Sequence, residues 1–400
     1  MKSPIANINM VIPFLVNLLF LISMVLSVTV SPSHLDSQTV FVIFSIFNFA
    51  VLSSILFFRL NVYLCLIFLT TPLIFIVVLV LLSLSVNGEL REYEATDSYS
   101  YDRLAQLLVD RQGDVQAFLD NTKYSYDDLG YPYVRYLMRA TDGSNAALLV
   151  LKIVLHYGSS FLVYRIARGY GLGLNASIKS SLIYLNASVP LMYVCSGLKE
   201  TVFTFFVAVA LGTVSRSLWW ALGAAGTFFF RKAFPFLILF THLLRNRSIA
   251  WPVLLSPLLL IALYISGGLH SYYLVFLVGF DITVFSASLL SAVIGGIPSL
   301  FMETYTNFLY APTIFLVNII VIKKFFNIFR GRGGIAVYQD IFIFSAPLVL
   351  IAQALKIRYL MPFYFLYIIF GMSDNSYKGS YFLISAIIVG TLAVLWALVS

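Results

Sequence analysis

The chain has 400 residues, of which 60% are hydrophobic and 10% are charged, whereas a typical soluble domain carries about 25% charged residues. The mean hydropathy is +0.94. This composition excludes an ordinary soluble domain and predicts an all-α, polytopic membrane protein. The formal net charge of +8 does not indicate nucleic-acid binding, because the bases lie in short loops between apolar runs, as the positive-inside rule expects.

Apolar windows of membrane-spanning length recur along the whole chain. They fall at 10–30, 39–58, 63–86, 146–166, 177–195, 198–215, 217–230, 233–244, 249–266, 306–322, 335–354, 359–372 and 380–399. At roughly 20 residues per span, they predict a single helical-bundle domain, 1–400, with about 13 transmembrane helices. Its predicted parts are three N-terminal spans (1–86), an outer loop (87–145), central spans (146–266), an outer segment (267–305) and C-terminal spans (306–400).

The stretch 87–145 is the acidic part of the chain, with 11 of its 17 acids. Such a segment cannot lie in hydrocarbon, so we expect it in water on one side of the membrane. Tyr101, Leu104, Ala105 and Leu108 have helical spacing and predict an amphipathic helix that opens near Asp97. Acids in a first turn also favour the helix N-terminus, so Asp97 has a structural alternative as a cap.

A second helix is predicted further along the acidic stretch, where Pro132 follows Asp127 and Asp128 and can occupy a first helical turn. One of these two acids has the same structural alternative, a cap. The sequence thus predicts two helices in one outer loop, each with carboxylates near its start.

Basic residues set the predicted orientation. With a cytoplasmic N-terminus, the main basic clusters fall on the cytoplasmic side and the acidic stretch faces out. The segment 267–305 then predicts a re-entrant or interfacial outer element, because irregular backbone at membrane depth must line a cavity or be buried in protein. Six bases disobey the rule and fall at outer helix ends: Lys152, Lys199, Arg231, Lys232, Lys356 and Arg358.

These outer bases, with Glu200 and His270, are candidates for contact with a phosphate-bearing, lipid-linked substrate. Charged groups inside a membrane cost roughly 2.5–3.5 kcal/mol at the centre of a span and are commonly functional when they persist. The alternative for each is that its head group snorkels into the interface.

Several short motifs together resemble integral-membrane glycosyltransferases of the GT-C superfamily and bacterial O-antigen or exopolysaccharide polymerases. They are the acid, Tyr and Ala of the first outer loop, the Gly113-Asp114 step, and the Gly-Tyr-Pro at 130–132 that leads towards the next span. The segments SVPLMYVCSGLKETVFTFFVAVAL (188–211) and KIRYLMPFYFLYIIFG (356–371) agree with it. The resemblance implies a GT-C-like fold and sugar transfer at the outer face of a bacterial inner membrane.

The donor that the resemblance implies is a sugar on a polyprenyl phosphate or pyrophosphate. A carboxylate would take the proton of the acceptor hydroxyl, with Asp97 as the first candidate base and Asp102 and Asp127 as rivals. Cations would bind the departing phosphate: Arg231, Lys232 and Arg358, with Lys356 and His270 nearby and Lys199 with Glu200 as a supporting pair. Tyr99, Tyr101, Tyr126 and Tyr131 stack on sugars or belong to an interfacial aromatic belt.

Three functions remain open at this point. Three leading spans and a modest outer loop favour a polymerase of O-antigen or capsule repeat units over a GT-C monosaccharide transferase that modifies a lipid or glycan. A flippase or transporter would show ionisable residues in mid-span and inverted repeats. No metal site or cofactor is predicted, although a divalent ion on loop carboxylates stays open. The expected partners are membrane lipids, polyprenyl-linked saccharides and a chain-length regulator, with no nucleic acid.

Overall fold

The computed structural model describes the central part of the chain and several shorter pieces. The described residues are 47–48, 50–56, 59–87, 96–116, 129–142, 145–212, 218–231, 233–244, 337, 340–341 and 361–373. Within them, the backbone alone is described at 78–79, 81–87, 96–99, 141–142, 145, 218, 233 and 244.

Helices account for the regular structure of the described residues, and no β-strand occurs among them. Residues 47–48 and 50–56 are helical. The further elements are α1 (Val62–Asn87), α2 (Thr96–Asp110), α3 (Gly130–Asp142), α4 (Asn145–Gly169), α5 (Leu174–Asn186), α6 (Ser188–Cys195), α7 (Glu200–Gly212), α8 (Leu218–Phe228), α9 (Ala233–Leu244), a 3₁₀ turn (Met361–Phe363) and α10 (Tyr364–Met372). The all-α prediction is confirmed for this part of the chain.

One described helix is long and apolar enough to cross a membrane, at Ala146–Gly169 within α4. Shorter apolar helices lie at Val62–Val77, Glu200–Gly212, Phe234–Leu243 and Met361–Met372. The count of about 13 spans stays a prediction, because a span needs about 20 residues and many of the predicted windows fall outside the described residues.

Over its first two thirds, helix α4 buries several polar side chains and exposes several apolar ones, whereas Arg165 and Arg168 near its end are exposed. Lys152 and His156 are 0% exposed, whereas Val154 and Phe161 are 61% and 60% exposed. Ser159 is also fully buried. A surface helix of a water-soluble protein has the reverse arrangement, with its apolar stripe facing the core.

The predicted span 177–195 is interrupted, because α5 ends at Asn186 and α6 restarts at Ser188. Pro190 explains the break: it has no N–H, and in a continuous helix its ring would clash with the carbonyl of Asn186. Ala187 at the junction is extended, with φ −65° and ψ 133°. The Asn186 carbonyl accepts a hydrogen bond of 2.6 Å from Nδ2 of Asn48 instead, so the break leaves this buried acceptor satisfied.

Helices α2 and α3 pack together into a helical hairpin. Leu104, Leu108 and Leu129 form a small core of their own, apart from the main core of the bundle. Gly113 ends the turn after α2 at φ +80°, a conformation that suits glycine, and its N–H donates to the Leu108 carbonyl at 2.8 Å. Both predicted loop helices are therefore present, and the second begins two residues before Pro132.

Helix α7 lies at the centre of the described bundle. It packs against α4, α8 and the 3₁₀ turn, while α5 packs against α4, α1 and α10. The hairpin reaches the bundle through contacts of α3 with α4. This arrangement places the hairpin beside the connector 196–199, which joins α6 to α7.

Candidate functional site

Asp102 is the carboxylate at which the two hairpin helices meet. Its Oδ1 atom lies 2.8 Å from Nη2 of Arg135 and 2.6 Å from Nη2 of Arg139. Arg139 also donates from Nη1 to Oε1 of Gln106 at 3.1 Å. Because Asp102 and Gln106 are on α2 and both arginines are on α3, these bonds fix the register of the hairpin.

Arg135 also joins the hairpin to the bundle. Its side chain is 3% exposed, against 27% for Arg139. Arg135 Nη1 donates to the Gly197 carbonyl at 3.1 Å, and its guanidinium carbon lies 5.7 Å from the ring centroid of Tyr131. One buried guanidinium thus contacts α2, α3 and the connector 196–199.

Lys152 brings a second cation to the same place from α4. It is fully buried, donates to the Ser196 carbonyl, and lies 5.6 Å from the Tyr131 ring centroid. Lys152 and Arg135 are therefore held by consecutive carbonyl groups and share one aromatic ring. Like charges in such surroundings raise each other's free energy, and an anion beside them lowers it.

Lys199 supplies a third cation from the connector itself and is 6% exposed. Its Nζ donates to the Phe230 carbonyl at 3.1 Å and lies 5.8 Å from the Tyr101 ring centroid. The Tyr101 and Tyr131 rings meet edge to face at 5.2 Å. We call Arg135, Lys152 and Lys199 the cation cluster.

The turn between α8 and α9 closes the cluster on the side of Lys199. The Gly130 N–H donates to the Phe229 carbonyl at 3.1 Å, and a Cβ on Gly130 would lie 2.5 Å from that oxygen. Only a residue without a side chain allows this close approach. Arg231 is half-buried and follows Phe230, whose carbonyl binds Lys199, so the turn brings the Arg231 backbone beside the cluster.

Glu200 is the first residue of α7 and is 1% exposed. A carboxylate at this position is stabilised by the helix dipole. Glu200 directly follows Lys199 in the chain and is buried, whereas Asp102 is half-exposed.

Several of the residues that the sequence proposed meet in this one region: Asp102, Lys199, Glu200 and Arg231. Asp97 is the second residue of α2, one helical turn before Tyr101, and its side chain lies outside the description. The remaining candidates fall outside the described residues: Asp127, Lys232, His270, Lys356 and Arg358.

Sequence reasoning missed Arg135, and it placed Lys152 in the wider set of outer bases that could contact a phosphate but not among the named phosphate ligands. The spacing of Tyr131, Arg135 and Arg139 at every fourth residue places them on one face of α3. That spacing indicated that the three side chains act together, but only the fold shows that this face of α3 contacts α2 and the connector 196–199.

Tyr101 and Tyr131 lie beside the cations, whereas the side chain of Tyr99 and the whole of Tyr126 lie outside the description. Tyr131 is 0% exposed, so it belongs neither to an interfacial belt nor, as arranged here, to an open sugar-stacking surface. With Tyr101, it offers ring faces to the three cations instead. Tyrosine rings stabilise cations within about 6 Å of their centroids, by about 2 kcal/mol or more where the pair is desolvated.

The arrangement can bind an anion beside a carboxylate. Asp102 is 38% exposed, and the short contacts of both arginines with it are made to its Oδ1 atom. Among those residues, no group of three or more His, Cys, Asp or Glu side chains has the arrangement of a metal site. No family model, curated protein or solved structure matches the chain.

Proposed function

We propose that the chain is an integral-membrane glycosyltransferase that uses polyprenyl phosphate- or pyrophosphate-linked sugars at the outer face of a bacterial inner membrane, and that it polymerises O-antigen or capsule repeat units. One observation carries the proposal: three buried cations converge beneath the helix that bears Asp97 and Asp102. An acid–base group and a phosphate-binding group are the two things that such a transfer needs.

The surface of α4 supports a membrane location. Its buried side carries Lys152, His156 and Ser159, while Val154 and Phe161 are exposed. Exposed apolar side chains are favourable where the surroundings are hydrocarbon, and polar groups in a membrane face the interior of the protein. The large exposed side chains of α1, which include Leu66, Leu69 and Leu73, fit the same surroundings.

In the proposed reaction, the acceptor hydroxyl oxygen attacks the anomeric carbon of the donor sugar. A bond forms between these two atoms, and the bond from the anomeric carbon to the phosphate oxygen breaks. The hydroxyl proton passes to a carboxylate. Asp97 is the first candidate and Asp102 its rival, both on α2, and Asp127 is the third candidate. The polyprenyl phosphate or pyrophosphate leaves with the electron pair.

The cation cluster is proposed to hold the leaving phosphate. Arginine and lysine stabilise developing phosphate charge through charge-assisted hydrogen bonds, and they do so more strongly in a site that excludes water. These side chains supply positive charge without requiring a metal ion. The further phosphate contacts proposed from the sequence join them: Arg231, Lys232, His270, Lys356 and Arg358.

Two other functions have a place beside this one. A monosaccharide transferase of the same superfamily would use the same donor and the same cations. A flippase for lipid-linked oligosaccharides is favoured by one observation, the fully buried His156 in the middle of α4, because transporters carry ionisable groups at that depth.

The surface glycan of a deletion strain tests the proposal. We expect a single repeat unit on the surface lipid, restored to a ladder by the wild-type gene. A side-branch sugar missing from an otherwise normal ladder would mean monosaccharide transfer. Intact lipid-linked repeat units trapped on the cytoplasmic face would mean transport, and a normal glycan in every respect would overturn the proposal.

A further inference from the structure

Arg135 differs from the other members of the cation cluster because it also binds a carboxylate of the hairpin. We propose that Arg135 is a positioning residue that makes Asp102 available only after a phosphate group has bound. In this exchange, the phosphate takes the Arg135 guanidinium away from Asp102. The inference rests on the proposed function, since the phosphate is that of the donor.

The geometry puts the two competitors on the same guanidinium. Nη2 of Arg135 forms an ion pair with Oδ1 of Asp102 at 2.8 Å, while Nη1 donates to the Gly197 carbonyl at 3.1 Å. The guanidinium lies over the Tyr131 ring, on which Lys152 also lies. A phosphate bound to Lys152 is therefore beside Arg135, and a guanidinium fork matches phosphate oxygens in two parallel hydrogen bonds.

Arg139 keeps Asp102 in place during the exchange. It binds the same Oδ1 atom at 2.6 Å, and its second described contact is to Gln106 on α2. Both contacts of Arg139 lie within the hairpin, whereas Arg135 reaches across to Gly197. Loss of the bond between Arg135 and Asp102 would thus loosen α2 from α3 and leave Asp102 with one guanidinium instead of two.

This exchange orders the steps of the reaction. Before the donor arrives, Oδ1 of Asp102 is committed to two arginines. After the donor arrives, the Arg135 guanidinium binds the phosphate instead of Asp102, and the carboxylate can turn towards an acceptor hydroxyl. Donor binding thus frees Asp102 from Arg135 although Asp102 makes no contact with the donor.

Hydrogen–deuterium exchange on the full-length protein in nanodiscs tests the inference. Inorganic pyrophosphate is added in one arm and a short-chain polyprenyl pyrophosphate in another, with sodium chloride at equal ionic strength as the blank. We expect both ligands to slow amide exchange around the connector 196–199 and to speed it in α2. A stronger effect of the lipid form identifies a lipid-linked donor, and an equal effect identifies free pyrophosphate as sufficient.

Matched variants assign the effect to one side chain. In Arg135→Gln, exchange in α2 should be fast from the start and should no longer respond to pyrophosphate, whereas Arg139→Gln should keep the response. Asp102→Asn removes the competitor and should bind pyrophosphate about tenfold more tightly, which corresponds to about 1.4 kcal/mol. This last variant keeps the inference testable if Arg135→Gln fails to fold.

The possible failures are distinguishable. Slower exchange at 196–199 with unchanged or slower exchange in α2 would overturn the role of Arg135 and leave the donor site standing. Unchanged affinity in Asp102→Asn would do the same. No effect of either ligand at 196–199 would remove the donor site itself, and with it the proposed function.

Discussion

Two interruptions of helical structure flank the short helix α6, and they are closed by different chemistry. At Ala187, the freed carbonyl of Asn186 accepts from the neutral amide of Asn48. At the connector 196–199, the carbonyls of Ser196 and Gly197 accept from Lys152 and Arg135. A neutral donor satisfies a buried carbonyl, so charged donors are not required at the second interruption, and we propose phosphate binding as their further role.

Removal of a carboxylate of α2 should have the largest effect on sugar transfer. Asp97→Asn should reduce sugar transfer by about 10²- to 10⁴-fold, the usual contribution of a general base. The lipid-linked substrate and the protein level should stay normal. The assay is transfer by the purified variant, with polymer ladders in cells as support.

Asp102→Asn is the matched variant for this assay. If it loses transfer while Asp97→Asn retains normal ladders, the base is Asp102. Normal transfer in both variants would remove α2 from the chemistry.

Lys152→Gln separates the hydrogen bond that the lysine donates to Ser196 from its proposed binding of phosphate. The glutamine amide still donates a hydrogen bond towards Ser196, so the fold should persist, while phosphate binding loses a charge. We expect transfer to fall by about 10²-fold, comparable with removal of one transition-state hydrogen-bond donor, and the unfolding midpoint to stay close to wild type.

Arg165→Gln is the control for that change, because Arg165 is an exposed base near the other end of the same helix. It should leave transfer unchanged. Equal losses in the two variants would mean that general charge, and not the cluster, matters.

Asn48→Ala is the corresponding change at the first interruption. It leaves the Asn186 carbonyl buried without its donor, which costs about 1–3 kcal/mol. We expect a lower unfolding midpoint in a thermal melt and normal transfer per folded molecule. A loss of transfer with no change in the melt would contradict the purely structural role of this region.

Arg139→Gln should have the smallest effect. The pair of Arg139 with Asp102 is partly exposed, and such surface pairs contribute about 0–1 kcal/mol. The melt should therefore shift little. A large destabilisation would show that the hairpin depends on Arg139 as much as on Arg135.

Local chemistry made part of this fold predictable. The amphipathic spacing after Asp97 and the position of Pro132 indicated α2 and α3. The window 146–166 differs from helix α4 by one residue at its start and three at its end, and the window 233–244 has the bounds of helix α9. These elements depend on patterns within a few turns of chain.

The interruption at Ala187 and the cation cluster were not predictable in the same way. The donor to Asn186 lies 138 residues away, and Gly197 lies 62 residues from Arg135. Apolar periodicity carries no information on such pairs. The outlying base Lys152 was visible in the sequence, but its proximity to Arg135 and Tyr131 follows only from the packing of α3 against α4.

Equilibrium binding of a polyprenyl pyrophosphate to the purified protein tests the central claim most directly. We expect Lys152→Gln to weaken binding at least about tenfold, which corresponds to a contact of about 1.4 kcal/mol, without lowering the unfolding midpoint. Asn48→Ala should lower the unfolding midpoint and leave binding unchanged. Equal affinity in wild type and Lys152→Gln would contradict the claim that the buried cations form the donor site.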